Sequence, residues 1–421
     1  MTGALLALVL ALAPPATDPC AGAASDGWLE ARLRADPHFL KLVADPAKYR
    51  LQILVAEVVQ APDGARRLVR HGYRVGAEYI YPASAIKTFA SVAAMRAVAA
   101  LPPTPSGARA DLDTPLAVCT FGAGRCTRTR DRSNRDGGAI TLGHEIRKTQ
   151  IVSDNDGFNL LYNFVGHREL NEYLHTHGFP EVRVEHRLST GERPAGHRRT
   201  PRLELRVGDE ILAIPERVSD LVTRPADAPA IPVGVAHRGP DGGDIPAPKD
   251  FLDNNAAPLC ALQRLTVALV APELGAVDLG LAPADRERLL AAMQVDPHAS
   301  QNPRYTSPSQ NVDRFKPLLP GIARVRPRAR IRYVNKAGKA YGFHLENAYI
   351  SDLETGRAFL VAAAIHADRD GVVDDDRYDY ADVTVPFFAD LGELLARELL
   401  ASSLAGDAAT PRPPDPGDRA K

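Results

Sequence analysis

The sequence predicts a mixed α/β fold: an α/β layer built from both chain ends, with an all-helical middle seated on it. Near the N-terminus, a dense β-branched run at 51–59 meets the turn Asp63-Gly64, and a second extended run follows at 67–75. Near the C-terminus, extended runs recur at 331–335, 341–350 and 358–366, as consecutive antiparallel strands would. Between them, apolar residues return at helical spacing.

Taken in order, Trp28, Leu29, Leu33, Phe39, Leu40 and Val43 fall on one helical face, broken near Pro37. After the first two strands comes the run 84–99, rich in helix formers and free of Gly and Pro. The segment 101–138 is rich in Pro, Gly and Arg and reads as an extended surface loop. Short helices are expected at 141–148, 158–165 and 168–175, the last stopped by Gly178. A stretch at 189–250 is heavy in Pro, Gly, Arg and Asp and carries one small hairpin, 203–207 and 210–212, around Gly208-Asp209. Helical spacing returns at 258–270 and 283–293, and a closing helix covers 386–400.

The chain of 421 residues suits one large domain or two intimate ones, with 45% apolar and 24% charged residues. A net charge of -1 offers no electrostatic case for a nucleic acid or an anionic membrane. The apolar run 4–13, closed by Pro14 and Pro15, is too short to span a bilayer and fits a signal-peptide core, although no Lys or Arg precedes it. A leader is therefore expected over 1–24, the working domain over 25–401 and a disordered tail over 402–421. Cys119 and Cys126 bracket a glycine-containing loop and either close a small disulfide in an oxidising compartment or stay as two thiols. Cys20 and Cys260 cannot be paired from sequence, and the cysteine spacing is wrong for zinc.

Chemistry concentrates in three short motifs. Ser84 opens a helix, where the terminus favours its hydroxyl, and Lys87 lies one turn on, on the same face. A serine becomes a nucleophile when a base takes its proton, and a lysine held neutral by burial or a second cation is such a base. Alone, the pair equally describes a capping serine and a surface lysine. Ser153-Asp154-Asn155 and Lys336-Ala337-Gly338 follow in an order that chance explains poorly. The Ser153 segment also reads as a helix cap, and both readings hold together if Asp154 does the capping.

With these motifs, the sequence resembles the class A β-lactamases and the wider penicillin-recognising serine hydrolases, over most of residues 27–400. From 249 onward it looks closest to a branch of bacterial serine hydrolases with an Asn-Lys-x-Gly-x-Ala-Tyr-Gly pattern, here from Asn335 to Gly342. The resemblance implies a five-stranded antiparallel sheet with flanking terminal helices, an all-helical subdomain at about 84–325, and an active site in the cleft between them. It implies Ser84 as nucleophile, Lys87 as base, and Ser153 as proton relay steadied by Lys336. Asn155 would meet a substrate carbonyl. The strand at Gly338 and Lys339 would border substrate, with an oxyanion hole from the amides of Ser84 and Lys339.

Two departures bear on function. Ala337 stands where the family carries a hydroxyl that helps bind the β-lactam carboxylate. The deacylating glutamate falls near Leu188, in a loop swollen by the 189–250 insertion, and nothing selects among Glu185, Glu192 and Glu204 as a substitute. An acidic stretch from Asp368 to Asp376 fails calcium-loop spacing and reads as a solvated turn, while His344 reads as a surface strand position.

The expectation is an exported, periplasmic or secreted serine hydrolase acting on an amide or ester, with β-lactam hydrolysis foremost. A peptidoglycan D,D-carboxypeptidase or esterase is the alternative enzyme, and a module that binds β-lactam or peptidoglycan without turnover is the non-enzyme alternative. Its partner would be a small-molecule or peptidoglycan-derived amide, with no cofactor or metal, no nucleic acid, no stable membrane anchor and a monomeric state.

Overall fold

A computed structural model describes residues 27–122, 125–192, 194–275 and 277–401. The expected leader, Cys20 and the expected tail lie outside the described residues.

The chain opens with helices α1 (Trp28–Ala35) and α2 (Leu40–Ala44), separated at the expected Pro37 break. Strands β1 (Gln52–Gln60) and β2 (Arg66–Tyr73) pair as an antiparallel hairpin. A 3₁₀ turn (Ala83–Ile86) runs into α3 (Lys87–Ala99). Then come β3 (Leu116–Cys119), β4 (Cys126–Arg128), α4 (Leu142–Ile151), α5 (Asn155–Val165) and α6 (His167–Thr176). The hairpin β5 (Leu203–Val207) and β6 (Glu210–Ile214) turns at Gly208-Asp209, as expected. Helices α7 (Leu259–Val270) and α8 (Pro283–Gln294) precede strands β7 (Ile331–Asn335), β8 (Gly338–Ala340), β9 (Phe343–Asp352) and β10 (Ala358–His366), and α9 (Val385–Leu395) closes the fold.

The main sheet runs β7-β9-β10-β1-β2, all antiparallel, with β8 also pairing β9. It has six strands rather than five, because the edge strand breaks at Lys336-Ala337 and resumes as β8. Both faces are covered, and β10 shows why. Phe359, Val361, Ala363 and Ile365 join the core under α1 and α9, while Ala362 and Ala364 join the core shared with α3, α5 and α7. A strand buried on both faces reads as a continuous apolar run, which is how 358–366 reads in sequence.

The middle layer is not all-helical. β3 and β4 pair with each other, and β3 pairs with β5, so a four-stranded sheet β4-β3-β5-β6 sits within it. The 101–138 segment is therefore not wholly a loop. Leu203, Leu205 and Val207 alternate inward along β5, and they need a partner edge, which Leu116 to Val118 supplies. Cys119 and Cys126 form a disulfide across the β3–β4 turn. No described helix is long and apolar enough to cross a membrane.

Candidate active site

Three separate segments meet where α3 begins. Ala83, with φ of 46°, starts the 3₁₀ turn, and the amide of Lys87 donates to the Ser84 carbonyl, so Ser84 sits inside a tight turn rather than at a plain α-helix cap. Ser84 is partly exposed, and among the described residues no hydrogen bond reaches its hydroxyl. Ser153 forms the corner between α4 and α5, with φ of 60°. Asp154 caps α5 by accepting from the Gly157 amide at 2.7 Å, so the motif both caps a helix and presents Ser153 and Asn155. Of the non-glycine residues with left-handed backbone, Ala83, Ser153, Ser189 and Tyr341 all border this region, the kind of clustering found where backbone strain serves a site.

Lys87 is fully buried. Its amine donates to the Ser153 carbonyl at 2.5 Å, to Asn155 Oδ1 at 2.6 Å and to Ser153 Oγ at 3.2 Å. Lys336, also buried, donates to the same Ser153 Oγ at 2.9 Å and to the Ala337 carbonyl at 3.2 Å. Two amines therefore converge on one hydroxyl. Burial, and then the charge of Lys336, hold Lys87 well below the ordinary lysine range, with Asp154 opposing. Burial pushes Lys336 down to about 7, against the pull of Glu346.

A buried polar cluster supports the Lys336 strand from behind. Glu346 accepts from Asn335 Nδ2 at 3.0 Å and from Tyr333 Oη at 3.2 Å, and burial raises it to about 7. Lys316 donates to Asn335 Oδ1 at 3.0 Å, and burial lowers it to about 8. Asn335, which immediately precedes Lys336, is thus bound from both sides.

Gly338 explains the glycine of the third motif. A Cβ there would lie 2.4 Å from the Pro82 carbonyl oxygen and 2.9 Å from the amides of Ser84 and Ala85. Only a bare backbone lets β8 press against the Ser84 turn. Lys339, next along the strand, is exposed, with its ammonium 4.9 Å from the Tyr380 ring centre. Ala337 brings no hydroxyl.

Ser84, Asn155 and Lys339 line a cavity of about 730 Å³, within the range of small-molecule sites. Lys87, Ser153 and Lys336 are not among its lining residues and sit beneath it. Further walls come from residues 185–192, Pro194, His197 and Arg198 and from Arg224, Lys249, Asp250, Asp253 and Asn254. Asn159 clamps this loop, with Oδ1 accepting from the Leu188 amide at 2.8 Å and Nδ2 donating to its carbonyl at 2.9 Å. Asn155 Nδ2 donates to Ser189 Oγ at 2.8 Å. Leu188 borders the cavity, and its hydrocarbon side chain is buried with the main core.

Of the candidate glutamates, Glu185 and Glu192 line the cavity and Glu204 does not. Glu185 accepts from Thr223 Oγ1, Glu192 is held by Arg187 at 2.6 Å, and Glu204 pairs with Arg202 at 2.7 Å. His344 is buried rather than on the surface: Nδ1 lies 2.8 Å from Thr384 Oγ1, and the ring packs edge-on against Phe388 under α9. The acidic turn is ion-paired in part, Asp374 with Lys249. Asn159 and Ser189 were not foreseen. The i, i+4 spacing of Asn155 and Asn159 on one helix face was the available signal.

Residues 72–223 match the model of the Beta-lactamase enzyme family. That span contains Ser84, Lys87, Ser153 and Asn155 and ends before Lys336. Among solved structures, a β-lactamase from Streptosporangium roseum is 15% identical with a TM-score of 0.46, covering 87% of this chain and 98% of that one. A β-lactamase from Xanthomonas campestris pv. campestris is 16% identical with a TM-score of 0.47, covering 90% and 99%. One from Streptomyces albus G is 14% identical with a TM-score of 0.44, covering 86% and 100%. No curated protein matches the chain. Over the segment that carries the Ser84 turn and the Ser153 corner, the chain is similar to the β-lactamase enzyme family, and its class is that of a serine hydrolase.

Proposed function

We propose that this protein is an exported serine hydrolase that forms an acyl-enzyme on Ser84 from an amide or ester, with β-lactams as the expected substrates. Neutral Lys87 takes the Ser84 proton. Ser153 passes a proton to the leaving group, and charged Lys336 steadies that hydroxyl and an anionic group of the substrate. Asn155 meets a substrate carbonyl. The amides of Ser84 and Lys339 serve as oxyanion donors, each typically worth about 10²–10³ in rate.

The observation that carries this reading is the convergence of Lys87 and Lys336 on Ser153 Oγ, at 3.2 and 2.9 Å, beneath the cavity that Ser84 lines. A like-charged neighbour inside a dry site is what makes a lysine a base. The Cys119–Cys126 disulfide supports action outside the cytoplasm.

A second reading has its own support. With Leu188 clamped at the loop position where a base would serve, acylation without fast release describes a penicillin-binding module or a peptidoglycan D,D-carboxypeptidase with a slow second step. One experiment separates them: the purified protein is given a fluorescent penicillin and a chromogenic cephalosporin, and its intact mass is followed. Turnover of the cephalosporin supports the hydrolase, and a lasting adduct supports the second reading. Finding neither turnover nor an adduct with either compound contradicts both.

A further inference from the structure

We propose that a second cavity, between α3, α5 and α6, binds a small amphipathic carboxylate of the medium-chain fatty acid class, with its carboxylate on Arg96. The proposal stands apart from the Ser84 chemistry, because this cavity of about 330 Å³ shares no lining residue with the first.

The sequence leaves the space. Ala93 and Ala97 on α3, and Ala100 at its C-cap, follow one another at helical spacing, so these turns bring only methyl groups to the cavity. Phe164 and Val165 at the end of α5, and Ile214 at the end of β6, supply further apolar wall. His177 stacks on Tyr173 with 4.2 Å between ring centres, and its Nδ1 lies 2.9 Å from the Tyr173 carbonyl, so both rings are held. A mostly apolar cavity of this size with one or two fixed polar groups is how small-molecule sites are built.

Arg96 is the polar group that selects the ligand. Among the described residues its guanidinium makes no hydrogen bond and no ion pair. Gly280 covers its inner edge: a Cβ there would lie 3.1 Å from Nε and 3.2 Å from Cζ. That loop is pinned in turn by the Tyr173 hydroxyl, which donates to the Leu279 carbonyl at 2.8 Å. The Nη groups are left as the donors, and a guanidinium fork matches a carboxylate.

The other charges nearby are already partnered. Arg217 donates to the Val165 carbonyl at 2.7 Å and to those of Asn163 and Phe164 at 2.9 Å, and it lies 3.4 Å from Glu169. The Asp278 carboxylate accepts from the Gly280 amide at 2.7 Å and makes no ion pair with Arg96. With Glu169 set against Arg217, Arg96 is the excess positive charge among the described lining residues. A neutral hydrocarbon would leave that charge without a counter-ion, and a ligand polar throughout would waste the apolar walls. An apolar tail ending in a carboxylate satisfies both.

The test is equilibrium dialysis of the full chain with radiolabelled decanoate, below its micelle concentration. Wild type and Ser84→Ala should bind it alike. Arg96→Met keeps an apolar stem and removes the charge, and should weaken binding at least about 10-fold. Ala97→Phe fills the space and should remove binding. Thermal unfolding run alongside shows which variants are folded, and either folded variant suffices. Decanol, with the same tail and no acid, should bind wild type at least about 10-fold more weakly and respond little to Arg96→Met. No binding of decanoate to wild type up to about 1 mM, undiminished binding in a folded Arg96→Met or Ala97→Phe, or binding lost in Ser84→Ala would overturn the proposal. Decanol held as tightly as decanoate would overturn the role of Arg96 and with it the ligand class.

Discussion

Gly338→Ala is the substitution whose outcome follows most directly from geometry. The new methyl would meet the Pro82 carbonyl oxygen at 2.4 Å and the Ser84 amide at 2.9 Å, whereas ordinary contact begins at 3.4 Å. All three close atoms are backbone, so none can swing aside, and β8 must retreat by about 1 Å. Overpacking of this kind costs about 1–3 kcal/mol of stability, which a fold with two large cores can absorb. Catalysis has less tolerance, because the retreat carries the Lys339 amide away from the Ser84 turn. A 1 Å misplacement at a reacting centre costs on the order of 10²-fold. The assay is the rate of adduct formation by intact mass, with thermal unfolding measured in parallel. A variant that stays folded and acylates within about three-fold of wild type would refute the claim that β8 and the Ser84 turn form one oxyanion site.

Two further predictions concern charge and packing. Acylation by an anionic substrate should follow a bell in pH: it falls on the acid side as Lys87 gains its proton, and on the basic side as Lys336, at about 7, loses its own. Adduct-formation rates measured from about pH 5 to about pH 9 check this, and a rate that stays flat above neutrality contradicts the assignment to Lys336. Phe89 is fully buried on α3, edge-on to Phe179 with 5.2 Å between centres, so Phe89→Ala should cost about 3–5 kcal/mol by urea unfolding. A loss under about 1 kcal/mol would mean that α3 is not packed as described.

Local signals carried much of the fold. The Gly208-Asp209 hairpin, the Asp154 cap and the doubly buried run at 358–366 each depend on residues close in sequence, so pattern was enough. The pairing of Leu116 with Leu205 was not legible, because β3 is four residues long and its partner lies far along the chain. For the same reason the middle layer read as helical. His344 and Glu346 stand in one strand as polar residues among apolar ones, and only α9 and the Lys316 turn show that both are covered. At the site, Ser84, Lys87, Ser153, Asn155 and Lys336 were named from motifs, and the fold brings them into one region. What sequence missed was the wall across the cavity. Nothing in Glu185-His186-Arg187-Leu188 says which side chain turns inward, since that depends on the grip of Asn159 and Asn255 on the loop.

The most direct measurement of the central claim is peptide mapping of the acylated protein. After brief exposure to a penicillin, digestion and mass analysis should place the added acyl mass on the hydroxyl of residue 84, and Lys87→Ala should leave that peptide unlabelled while the protein stays folded. Acyl mass on any other residue, or full labelling without the Lys87 amine, would contradict it.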